Sequence, residues 1–149
     1  MKTTFIGFLF LVAPYINAQE KIRTFQLSDA PRYSEETGYG YDLTDTPEKG
    51  SKAPFFFSVR VPDGNYQVTV RLGNKKQAGV TTVRGESRRL FIDNLATQKG
   101  QFVDETFIIN KRNPRISEKE SVRIKPREKA KLNWDDKLTL EFNGDAPVC

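Results

Sequence analysis

The stretch Phe55-Phe56-Phe57-Ser58-Val59-Arg60-Val61-Pro62-Asp63-Gly64-Asn65-Tyr66-Gln67-Val68-Thr69-Val70-Arg71-Leu72 decides the fold class. Its two arms alternate with a period of two. Phe55, Phe57, Val59 and Val61 share one face of the first arm, and Tyr66, Val68, Val70 and Leu72 share one face of the second. Between them Pro62-Asp63-Gly64-Asn65 supplies turn chemistry, proline fixing φ and glycine accepting a positive φ. The pattern predicts a β-hairpin whose second arm ends at Gly73-Asn74-Lys75-Lys76.

Working outward, further strand signals run over Arg23 to Leu27, Gly79 to Arg84, Arg88 to Leu95, Phe102 to Asn110, Ser121 to Ile124 and Lys137 to Asn143. Gly, Pro, Asn or charge clusters bound each of them. No longer window repeats with a helical period, and the frequent Gly, Pro and Asn leave no room for long helices. The expectation is an all-β fold, an antiparallel β-sandwich of jelly-roll or immunoglobulin-like type with about eight or nine strands. Its inward positions are predicted at Phe57, Val59, Val68, Val70, Leu90, Phe107, Leu138, Leu140 and Phe142.

Lys2, the apolar run Phe5 to Val12 and Ile16-Asn17-Ala18 read as the charged, apolar and cleavage regions of a signal peptide over residues 1–18. The run is far shorter than the ~20 residues that span a bilayer. Residues 19–149 are then a single secreted or periplasmic domain of net charge +4, against +5 for the whole chain. Export makes nucleic acid an unexpected partner, and no membrane contact is expected after processing.

The 149 residues contain no histidine and one cysteine, Cys149. Histidine-based nucleophilic catalysis, histidine-ligated metals and an intrachain disulfide are therefore excluded. Gly85-Glu86-Ser87 loosely resembles a Gly-Asp-Ser block with a nucleophilic serine, but a serine hydroxyl needs a general base and the usual one is absent. Neighbouring carboxylates such as Asp104-Glu105 and Asp135-Asp136 point to opposite faces of a strand and cannot flank one bond from the same side. The chain alone is expected to be no enzyme.

From Lys111 to Lys131 nine basic and three acidic residues leave a net charge of +6. That segment reads as a solvated face, a surface for an anionic ligand or a contact with another domain. Trp134, in Lys131-Leu132-Asn133-Trp134-Asp135-Asp136, is a sugar platform or a core residue closing one end of the sandwich. Tyr33, Tyr39 and Tyr41 are expected on a loop. A ring covers the apolar face of a pyranose while Asn, Asp and Arg take its hydroxyls. The polar turn Arg84-Gly85-Glu86-Ser87-Arg88-Arg89 belongs at one end of the sandwich, where loops commonly bind. The candidate carbohydrate-binding residues are Tyr39, Tyr41, Arg84, Glu86, Arg88, Asn133, Trp134 and Asp135.

Three blocks, Phe55 to Leu72, Thr81 to Leu90 with its Val83-Arg84-Gly85-Glu86-Ser87-Arg88-Arg89-Leu90, and Leu132 to Gly144 with its Asn133-Trp134-Asp135-Asp136-Lys137-Leu138-Thr139-Leu140-Glu141-Phe142-Asn143-Gly144, together form a pattern. They resemble the N-terminal galactose-binding-like domain of bacterial rhamnogalacturonan acetylesterases of the GDSL/SGNH hydrolase type. The resemblance covers nearly all of residues 19–149. It implies a β-sandwich accessory domain of a pectin-deacetylating enzyme, present here without the catalytic domain that carries the serine, aspartate and histidine. The implied partners are an acidic pectic polysaccharide and the C-terminal esterase domain. The implied function is carbohydrate binding; the alternative is a structural domain that packs against the esterase without binding sugar. No cofactor is implied, although a structural calcium held by oxygen ligands suits such modules. No spacing identifies a site for it.

Overall fold

The computed structural model describes residues 21–43, 54–128 and 134–145. The predicted signal peptide, Asn133 and Cys149 lie outside them. Seven strands are present among the described residues: β1 (Tyr39–Asp42), β2 (Phe55–Arg60), β3 (Gly64–Gly73), β4 (Gly79–Gly85), β5 (Arg89–Thr97), β6 (Phe102–Lys111) and β7 (Lys137–Asn143). Among the described residues 3-10 turns run over Leu27–Asp29 and Pro126–Glu128, Trp134 is also in 3-10 conformation, and no α-helix is present. The all-β prediction holds. An antiparallel five-stranded sheet in the order β1-β2-β7-β4-β5 packs against an antiparallel pair, β3-β6.

The core lies between them, where the period-two pattern turns Phe55, Phe57, Leu138, Leu140, Phe142 and Val83 from one sheet toward Val70, Leu72 and Ile109 from the other. Phe55 stacks on Phe142 at 4.9 Å, and Phe91 on Phe107 at 4.4 Å. The core is thus tied both across neighbouring strands and between the sheets.

Four local expectations are corrected. The Phe55 to Leu72 stretch is no hairpin, because β2 pairs with β1 and β7 whereas β3 pairs with β6. Val61-Pro62-Asp63 arches from one sheet to the other, with the Val61 N–H donating to Asp136 O and the Tyr66 hydroxyl to Pro62 O at 2.7 Å. A hairpin and an arch put the same alternate residues inside, so periodicity alone does not separate them. Arg23 to Leu27 and Ser121 to Ile124 form no strand; Ser121 makes one isolated bridge, with Arg115.

Leu90 is 53% exposed instead of buried. On β5 its register runs Leu90 opposite Arg84 but Ile92 opposite Val83, so Phe91 is an extra residue, a bulge that turns Phe91 and Ile92 inward together and Leu90 outward. Tyr39 and Tyr41 lie on β1 rather than a loop. Gly40 between them takes a φ of 141° and passes so close to Pro31 that a side chain would strike that residue's carbonyl oxygen. This lets the extended segment Pro31 to Tyr33 bond both sides of Tyr41, its N–H to Pro31 O and its carbonyl to Tyr33 N, each at 2.8 Å.

Candidate functional site

One end of the sandwich gathers four stretches: the β2–β3 arch, the turn after β4, the end of β6 and the residues leading into β7. Gly85 closes β4, and Glu86 turns away with a φ of 49°. The Glu86 N–H donates to Thr139 O at 3.0 Å and its carboxylate accepts the Thr139 N–H at 3.1 Å. The side chain is buried, at 4% exposure. Burial pushes the Glu86 carboxyl up to about 7, with the neighbouring Asp135 adding to the rise and Arg89 and Lys111 opposing it.

Lys111 occupies the last inward position of β6, two residues beyond the fully buried Ile109. Its ammonium donates to Asp63 on the arch at 2.8 Å, and this bond holds the Asp63 carboxyl below its ordinary range. Arg112 then lies over the ring of Trp134 at 5.6 Å. Asp135 precedes β7 and accepts the Lys137 N–H at 3.0 Å; burial raises its carboxyl above the usual value.

Beside this end, on the outer face of the larger sheet, Lys137 donates to Asp42 at 2.6 Å and sits 4.7 Å from the centre of the Tyr33 ring. Arg60 is ion-paired with both Glu35 and Asp136. Arg88 is exposed, and its side chain enters no ion pair among the described residues.

The expected site residues therefore divide. Glu86 and Asp135 are neighbours at this end, with Arg88 on the turn that follows Glu86 and Trp134 just before Asp135, whereas Arg84 lies on the outer face of the sheet, paired with Glu141 at 3.4 Å. Tyr39 is half-buried against Phe25 at 4.9 Å. Tyr41 cannot be a sugar platform: it is 4% exposed, edge-on to Phe55 and Phe57, with its hydroxyl bonded to Leu27 O at 2.7 Å. Asn133 lies outside the described residues. The sequence pointed to Lys111 and Arg112 only as part of the basic segment from Lys111 to Lys131, not as neighbours of Asp63 and Trp134, and the Asp42–Lys137 pair was missed. The parity of β6 contained a signal for Lys111, which follows Phe107 and Ile109 on one face.

The arrangement consists of a half-buried indole under Arg112, the Lys111–Asp63 pair, the buried Glu86 beside Asp135, and an exposed arginine on the turn after β4. Ser87 has no hydrogen-bonded base among the described residues. No group of three or more Cys, Asp or Glu side chains among the described residues is placed to hold a metal ion. A wide, shallow hollow of about 760 Å³ lies at the opposite end of the sandwich, against Gly79, Val80, Thr97, Gln101 and Asp145. No described helix is long and apolar enough to cross a membrane. No protein-family model, no curated protein and no solved structure matches this chain.

Proposed function

We propose that this chain is a non-catalytic carbohydrate-binding domain, accessory to a secreted rhamnogalacturonan (pectin) acetylesterase, with an acidic pectic oligosaccharide as ligand. The observation that carries the reading is the half-buried indole of Trp134 under Arg112, with Asp135 next to it in the chain and beside Glu86, whose turn also carries the exposed Arg88. An indole suits the C–H face of a pyranose, and guanidinium groups suit galacturonate carboxylates. Single exposed ion pairs contribute only ~0–1 kcal/mol, so a dissociation constant of about a millimolar is expected. The competing reading, a domain that packs against the esterase without binding sugar, draws on Tyr41 being in the core and Arg112 covering one face of Trp134.

Titration calorimetry with rhamnogalacturonan oligosaccharides at two salt concentrations separates the two. The binding reading expects heat that weakens with salt and a several-fold loss in both Arg88→Ala and Trp134→Ala. Absence of heat from the unaltered chain at low salt favours the packing domain.

A further inference from the structure

The two sheets are unequal, five strands against two, and their edges are guarded differently. At β1 the bridge between Arg32 and Tyr41 covers the edge. The edge strand β5 is broken by register shifts, and Asn94 within it takes a φ of 48°. β6 carries Asp104, Glu105 and Lys111. Short cover, bulges and charge are the devices by which sheet edges avoid pairing.

β3 has neither cover nor bulge among the described residues, and little charge. Its ten residues pair with β6 in an unbroken register from Gly64–Lys111 to Gly73–Phe102. Among the described residues, no backbone hydrogen bond reaches β3 from any other element. The strand holds one charged residue, Arg71, and no proline. Its inner face is less covered near this edge: Tyr66 and Val68 are half-buried, whereas Val70 and Leu72 further along are buried. The strand therefore offers a long row of N–H and C=O groups that no described residue pairs with, beside partly exposed apolar surface, which is the chemistry that recognises another extended chain.

We propose that β3 is a self-association edge, pairing antiparallel with β3 of a second copy about a two-fold axis at Val68. The pattern of the strand is self-complementary in that register. Gln67 falls opposite Thr69 of the second copy and Asn65 opposite Arg71 on the outer face; Tyr66 falls opposite Val70 on the inner face, with Val68 opposite its own counterpart. No like charges meet, and apolar residues face apolar ones. The product is one four-stranded sheet, β6-β3-β3-β6, spanning two sandwiches.

Sedimentation velocity of the full chain from 5 µM to about 500 µM tests this, with hydrogen exchange at the β3 amides measured over the same range. The expected result is a monomer–dimer equilibrium with β3 protection that rises with concentration. Gln67→Lys combined with Thr69→Lys sets lysine against lysine twice across the axis and should weaken dimerisation at least tenfold. Gln67→Lys combined with Thr69→Glu makes those contacts attractive and should restore it. Both positions are exposed, and both double variants lose the same Thr69–Thr106 hydroxyl bond, so the comparison holds stability in common. A chain that stays monomeric with β3 exchange independent of concentration overturns the proposal. So does a dimer indifferent to the sign of the charges.

Discussion

Glu86 and Thr139 bond to each other twice, once through the Glu86 backbone N–H at 3.0 Å and once through the Glu86 carboxylate at 3.1 Å. The side chain stands where the next carbonyl of β4 would be had the strand continued. The ladder between β4 and β7 therefore gains one rung after the backbone has turned away. A buried N–H without an acceptor costs about 1–3 kcal/mol, which is the reason for a carboxyl in so enclosed a place.

That placement makes stability depend on pH in an unusual direction. Glu86 titrates at about 7 in the fold, against an ordinary 4.5, so the folded chain holds the proton more tightly than the unfolded one. Its contribution is fully favourable below about 4.5 and is lost as pH rises through about 7, a loss of up to ~3 kcal/mol. Glu86→Gln keeps an acceptor for Thr139 and removes the titration. In urea unfolding it should match the parent at pH 4.5 and exceed it by about 1–3 kcal/mol at pH 8. A gap independent of pH refutes this.

Asp42 and Lys137 behave in the opposite sense. Burial would raise the Asp42 carboxyl, but the bonds from Lys137 and Ser58 outweigh it and hold it below 3.8. The stabilisation from this group is present above 3.8 and lost as pH falls through the lower folded value. Both side chains are over four-fifths buried, so Asp42→Ala leaves the ammonium short of its closest partner, with Asp135 at 3.9 Å. A loss of about 1–3 kcal/mol is expected at pH 7 and a much smaller one at pH 2. A double-mutant cycle with Lys137→Met measures the coupling.

The fold class was legible because it depends on parity, and parity survives in a single chain. Lys137 to Asn143 was readable as a strand to the residue, with Leu138, Leu140 and Phe142 inward. What was not legible is pairing. Phe55 to Leu72 looks the same whether its arms share a sheet or face each other across the core. The bulge at Phe91 reverses Leu90 without any sign in composition, and a glycine between two tyrosines reads as a loop until Pro31 is seen crossing it. At the candidate site, Glu86 and Asp135 were readable as end-of-sandwich residues. The stacking of Arg112 on Trp134 was not, because it joins residues 22 positions apart whose approach only the tertiary fold sets.

The bulge gives a direct comparison of two leucines on the same sheet. Leu140 is 6% exposed between Phe57 and Gly85 in the register, whereas Leu90 is 53% exposed. Leu140→Ala should cost about 2–5 kcal/mol through lost burial and the cavity left behind. Leu90→Ala should stay within about 0.5 kcal/mol. Equal losses in chemical unfolding would mean that β5 keeps a regular register.

Gly40 carries the most specific backbone requirement. With φ at 141° it lies in a region that side chains rarely adopt, and a Cβ would run into the backbone of Pro31, Arg32 and Tyr33. These neighbours cannot give way locally, since the two hydrogen bonds between Tyr41 and the Pro31 to Tyr33 segment fix them from both sides. Gly40→Ala must therefore detach that segment from β1, and with it the Tyr33 ring that lies against Lys137. The expected outcome is a loss of about 2–4 kcal/mol, from backbone strain and the broken edge contacts together. Hydrogen exchange should show Tyr33 and Tyr41 amides losing protection while Leu140, on the central strand of the same sheet, and Ile109, on the other sheet, keep theirs down to the new global stability. Gly100→Ala is the control. That glycine also has a positive φ, at 80°, but a Cβ there meets nothing within 4 Å, so only the conformational cost of about 1 kcal/mol remains. Were the two variants to lose the same stability, the close approach of Pro31 to β1 would carry no weight in the fold.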